Sequence, residues 1–144
     1  MQKIKFRAWD EELKTMCRVN AIDFDNGIAC IQTKGIIECH NRQFDGHHDR
    51  LGGELEPCKL MQFTGLKDKN GIEIYESDIL SDGKELYLVK YSFTETGMIA
   101  SGLGKEGTWS LYHLATNHNK GREIEVVGNI YQNSDLLKEG QTNG

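Results

Sequence analysis

The stretch Leu60–Leu80, LMQFTGLKDKNGIEIYESDIL, decides how the chain is read. Leu60–Phe63 and Ile72–Tyr75 are short apolar runs of strand character, and between them Lys69-Asn70-Gly71 supplies the residues that tolerate a left-handed backbone at a hairpin tip. The same stretch carries two carboxylates two residues apart, Glu76 and Asp78. On an extended backbone they would lie on one side, as acid–base or cation chemistry requires. The simpler expectation is a turn in which Asp78 accepts hydrogen bonds from backbone amides before Ile79-Leu80 enters the next strand.

Working outward, the dominant hydrophobic period is two, punctuated by glycine and asparagine, which marks a mainly β fold. In Lys3–Trp9 the residues Ile4, Phe6 and Ala8 should share a buried face and Lys3, Lys5 and Arg7 a wet one. A second strand is expected at about Met16–Phe24, a tight turn at Asp25-Asn26-Gly27, and a returning strand at Ile28–Gln32, with Cys30 as a small core residue. From Cys39 to Pro57 the pattern dissolves into CHNRQFDGHHDRLGGELEP, which reads as a long surface loop joining two lobes.

Beyond the hairpin, Glu85–Phe93 places Tyr87, Val89, Tyr91 and Phe93 on one face and Leu86 and Leu88 on the other, the pattern of a central strand. Further strands are expected at Thr108–Leu114 and Glu123–Tyr131, the latter bulged at Gly128. Ser134–Leu137 suits one helical turn. The expected architecture is an N-terminal β-hairpin lobe (1–58, with its loop at 39–57), a small, partly open SH3-like β-barrel (59–137), little helix, and a flexible tail (138–144).

The chain has 144 residues, 38% of them apolar and 27% charged, with one proline, which suits a globular protein with a core of its own. Its 17 basic and 22 acidic residues give a net charge of -5, so polyphosphate binding would need a local basic patch. Acids and bases are interspersed, which excludes an acidic DNA mimic. Neither a signal-peptide core nor a run of about 18 apolar residues occurs, so a cytoplasmic location without membrane contact is expected. The four cysteines, Cys17, Cys30, Cys39 and Cys58, are expected as reduced thiols.

Several motifs point to chemistry and then away from it. Gly102–Gly107 matches GxGxxG, yet the residues that follow, Trp109–Tyr112, read as β, whereas a dinucleotide site needs a helix there. His40, His47 and His48 with Cys39 and Cys58 carry zinc-ligand chemistry, but adjacent histidines diverge on an extended backbone and the spacing lacks close ligand pairs. No metal or cofactor is expected. Cys39-His40 lacks a third group to orient the imidazole, and no nucleophile, base and oxyanion donor assemble from the sequence, so the chain is expected not to be an enzyme. Lys59, Lys67 and Lys69 with Phe63, Asn70 and Tyr75 form the one candidate interaction surface, of the kind on which bases stack.

Three blocks, Phe6–Asp10 (FRAWD), Leu60–Ile79 and Val126–Tyr131 (VVGNIY), together resemble the YopX family of phage and prophage proteins. The resemblance implies a β-rich, phage-encoded, oligomeric protein acting inside a bacterium, and it brings no assigned activity or site residue. The family often has glycine where this chain has Ser77, and a serine there leads us to expect an ordinary β or turn conformation. The leading expectation is therefore an accessory protein working through contacts with itself and with host or phage proteins. The alternative is a nucleic-acid-binding β-barrel module, with affinity that falls steeply with salt.

Overall fold

The computed structural model describes residues 4–33, 35, 38–44, 57–92, 97–104, 107–116 and 123–142. The chain is mainly β and divides into two compact units, Ile4–Gln62 and Phe63–Gly144.

In the N-terminal unit, β1 (Phe6–Asp10), β2 (Thr15–Asp23) and β3 (Ile28–Gln32) form an antiparallel meander. The β2–β3 turn is organised by Asp23, whose carboxylate accepts from the amides of Asp25 and Asn26 and from the Asn26 side chain. A fourth strand, β4 (His40–Phe44), pairs antiparallel with β3. It occupies part of the sequence expected as loop, and residues 45–56 of that loop lie outside the described residues. The pattern hid β4 because two of its three buried residues are polar. Arg42 and Gln43 are buried beside Phe44, and the Arg42 guanidinium is neutralised by Asp10, its Nε and Nη2 lying 3.3 and 3.2 Å from the two carboxylate oxygens.

β5 (Pro57–Lys67) completes the unit by pairing with β4 in parallel and with β1 antiparallel, from Phe6↔Gln62 to Asp10↔Cys58. The strands β1-β2-β3-β4-β5 thereby close on themselves. A ring of so few strands leaves room mainly for compact side chains, and Ala8, Cys17, Ala29, Ile31, Phe44 and Cys58 fill it. Ile4 is 75% exposed, contrary to its expected inward place, while Trp9 is buried. Cys30 lies half-buried on the outward side of β3, opposite in parity to buried Ala29 and Ile31.

The C-terminal unit takes up the end of β5 with β6 (Glu73–Tyr75), then β7 (Asp78–Ser81), β8 (Leu86–Ser92), β9 (Gly97–Gly102), β10 (Thr108–Ser110) and β11 (Glu125–Asn129). Its main sheet has the order β10-β9-β8-β7-β11 and is open. Among the described residues, ring closure is seen in the N-terminal unit, where β5 meets β1 through residues 58–62. β8 is central, with Tyr87 and Val89 buried on one face, Leu86 and Leu88 half-buried on the other, and Tyr91 exposed; Phe93 lies outside the described residues. Ile74, Leu80, Tyr87, Val89, Ala100, Leu111 and Ile124 form the core, with Trp109 edge-on to Tyr87 at 5.3 Å.

The strand expected to reach Leu114 stops at Ser110, and α1 (Leu111–Thr116) follows, with Leu111 buried and Leu114 packed on the same core at helical spacing. β11 is bulged between Val126 and Gly128, where a Cβ on Gly128 would meet the Asn133 side chain at 2.5 Å. α2 (Ser134–Thr142) runs through the segment expected as a tail, because Leu136, Leu137, Lys138, Glu139 and Gln141 all favour helix once the turn is nucleated.

Candidate functional site

The β5–β6 hairpin is built as its sequence suggested, with Phe63↔Tyr75 and Lys67↔Glu73 as register partners. Gly71, at φ 80°, takes the left-handed position at the tip. Asp68 does most to hold the tip. It is 8% exposed; Oδ1 accepts from the amides of Asn70 (2.8 Å) and Ile72 (2.9 Å), and Oδ2 accepts from the amide of Val126 on β11 (2.9 Å). The Lys69 amide donates to the Ile124 carbonyl at 3.0 Å, and its ammonium stands 3.9 Å from Glu125. The hairpin tip is thus fastened along β11, covering a strand that would otherwise end the sheet.

Asp78 of the same stretch is likewise held by a backbone amide. Asp78, 1% exposed, accepts the Tyr75 amide at 2.8 Å, as the turn reading expected. Ser77 does not follow expectation, because its φ is 70°. Two backbone hydrogen bonds hold it there: its N–H donates to the Val89 carbonyl at 2.9 Å, and its carbonyl accepts from the Ile130 amide at 3.1 Å. An extended residue at this step could not make both, so the position asks for a left-handed conformation whichever residue fills it.

Of the candidate surface, Lys59 belongs to the N-terminal unit and faces Trp9 in register, while Phe63, Lys67, Lys69, Asn70 and Tyr75 belong to the other. Lys59, Lys67, Lys69 and Asn70 are exposed. Phe63 is buried at 7% exposure, and Tyr75 packs on it with ring centroids 5.5 Å apart. Phe63 is therefore turned into the fold, while Tyr75 is half-buried against it.

Nearby, Asp82 organises the β7–β8 turn, accepting from the amides of Lys84 and Glu85 and from the Tyr87 hydroxyl at 2.8 Å. Burial, with Asp82 and then Glu85 beside it, pushes the Tyr87 hydroxyl well above its usual range. The Gly102 amide donates to the Gly107 carbonyl at 3.1 Å and β10 follows at Thr108, so among the described residues the GxGxxG segment leads into a strand and not a helix; Lys105 and Glu106 lie outside the described residues. Among the described residues no group of three or more His, Cys, Asp or Glu is placed to hold a metal ion, and His47 and His48 lie outside them.

Sequence reading missed two features of the N-terminal unit. Phe24, 67% exposed, stands edge-on to Phe6 (6.3 Å) and to Phe44 (6.2 Å), an outward aromatic ring fixed by two others. Its position after the last β2 residue was the available signal. On the outward face of β2 and β3, Arg18, Asn20 and Gln32 form a connected polar cluster beside a concavity lined by Met16, Arg18, Gln32, Thr33 and Gly35. Asn20 also donates to the Cys39 sulfur at 2.9 Å. The alternation of Arg18 and Asn20 with Cys17 and Val19 is the signal in the sequence that marks this face.

A family model described as YopX protein matches residues 5–138. Among solved structures, that of protein EF1440 from Enterococcus faecalis is similar with a TM-score of 0.64 at 24% identity, covering 95% of this chain and 99% of that one. The search of curated proteins found no match. No helix among the described residues is long and apolar enough to cross a membrane.

Proposed function

The chain belongs to the YopX family, and from that premise we propose that it is an accessory protein of phage or prophage origin that works in the bacterial cytoplasm through protein contacts, self-association included. The observation that carries this reading is Phe24. A large aromatic ring held outward costs little further conformational entropy on binding, and aromatic residues, phenylalanine among them, are enriched at protein interfaces. Fixing it between Phe6 and Phe44 presents it in one orientation, which a second copy or another protein can meet with a pocket. The acids of the family-like stretch favour the same view, because Asp68 and Asp78 are occupied holding backbone amides.

Light scattering over a range of concentrations, together with capture from infected-host lysate, tests the proposal. Concentration-dependent association, or a co-purifying protein whose capture is lost in Phe24→Ser, is the expected result. A strict monomer that captures no protein would overturn it. The nucleic-acid alternative requires a stacking surface, and buried Phe63 does not offer one. Gel shifts at about 50 mM salt with single- and double-stranded DNA and RNA decide that alternative independently.

A further inference from the structure

The four cysteines fall into two kinds. Cys17 and Cys58 are buried in the N-terminal core, where Cys17 faces Ala8 and Cys58 faces Asp10 across β1. Cys30 and Cys39 are on the solvent side of the same unit, Cys30 half-buried and Cys39 exposed. The β3–β4 register sets Cys30 opposite Asn41, which makes Cys39 its diagonal neighbour. The Cys39 sulfur accepts the Asn20 side-chain amide N–H at 2.9 Å, and Cys39 stands near enough to Cys30 to act, after burial, on its thiol pKa.

The geometry points to Cys30 and Cys39 as a redox modification site, a thiol pair that small external disulfides oxidise to an intramolecular disulfide. The roles follow from exposure. Cys39, reachable from solvent and with a hydrogen-bond donor on its sulfur, loses its proton to water and attacks one sulfur of the external disulfide, releasing one external thiolate and leaving a mixed disulfide on Cys39. Cys30 then loses its proton and attacks the Cys39 sulfur, expelling the second external thiolate, which with the first takes up the two protons released. Two thiols of the chain are oxidised and one external disulfide is reduced to two thiols, with no other oxidant required. Burial, and then the neighbouring Cys39, push the Cys30 thiol up, which keeps it protonated and makes it the slower, resolving partner.

The test uses the full chain, reduced and then incubated with oxidised glutathione at about pH 8, near the ordinary thiol range. Peptide mapping of the wild-type chain is expected to show a Cys30–Cys39 cross-link with no retained glutathione. Cys30→Ser is expected to stall as a glutathione adduct on Cys39, and Cys39→Ser to lose oxidation of Cys30. Both substitutions are outside the buried core, and the wild-type map stands without them. A wild-type chain that stalls at the Cys39 adduct, that cross-links to a second copy through Cys39, or that does not react would overturn the proposal.

Discussion

Replacing Ser77 by glycine should stabilise the protein. A non-glycine residue in the left-handed region costs about 1–2 kcal/mol, and at φ 70° Ser77 bears that cost because its N–H and carbonyl are both committed to backbone hydrogen bonds with Val89 and Ile130. Glycine removes the penalty but adds roughly 0.4–1 kcal/mol of conformational freedom to the unfolded chain. The balance is a gain of about 0–1.6 kcal/mol, and its centre at about 0.8 kcal/mol corresponds to a rise in Tm of roughly 2–3 °C for a chain of this size. Thermal melts of wild type, Ser77→Gly and Ser77→Ala measure it. The alanine variant separates the hydroxyl from the backbone and should melt close to wild type, while Ser77→Val should melt lower because a β-branched side chain is poorly accommodated at positive φ. A Tm for Ser77→Gly below that of wild type would refute the argument from backbone conformation.

Asp68→Ala removes the acceptor shared by the amides of Asn70, Ile72 and Val126, so a loss of about 2–3 kcal/mol in urea unfolding is expected, with faster hydrogen exchange at Ile72 and Val126. Arg42→Leu leaves the Asp10 carboxylate, 0% exposed, without its cation, for an expected loss of about 3–5 kcal/mol that Asp10→Asn in the same chain should largely restore. Tyr87 has a folded-state pKa above its unfolded value of about 10, so the unfolded chain gives up this proton first. Its contribution to stability is then complete below about pH 10 and declines as pH rises beyond that, and Tyr87→Phe should flatten the alkaline limb of a stability–pH curve.

How much was legible follows from where the pattern and the packing agree. β3 was found with its bounds, and the hairpin tip, the central β8 and the Gly128 bulge were all readable, because period-two apolarity and turn residues act locally. β4 was not, since two of its three buried residues, Arg42 and Gln43, are polar and its ion pair with Asp10 is distant in sequence. α1 was read as strand because Trp109–Leu114 carries aromatic and apolar residues that fit either period, and burial of Leu111 with Leu114 decided for helix. Ser77 was misjudged because the side chain was taken to report the backbone, whereas two non-local hydrogen bonds set φ there.

The candidate surface was half legible for the same reason. Lysine and asparagine at a hairpin tip are exposed wherever the hairpin packs, but whether Phe63 and Tyr75 face solvent depends on the core they meet. Phe24, which carries the functional reading, looked like the end of an ordinary strand until Phe6 and Phe44 were placed on either side of it.

Sedimentation velocity of the wild-type chain and Phe24→Ser, across a wide concentration series in reducing buffer, tests the contact reading most directly. The wild-type sedimentation coefficient should rise with concentration while Phe24→Ser, still folded though losing the two ring contacts, stays at the monomer value. Equal, concentration-independent monomers for both would contradict self-association through this ring.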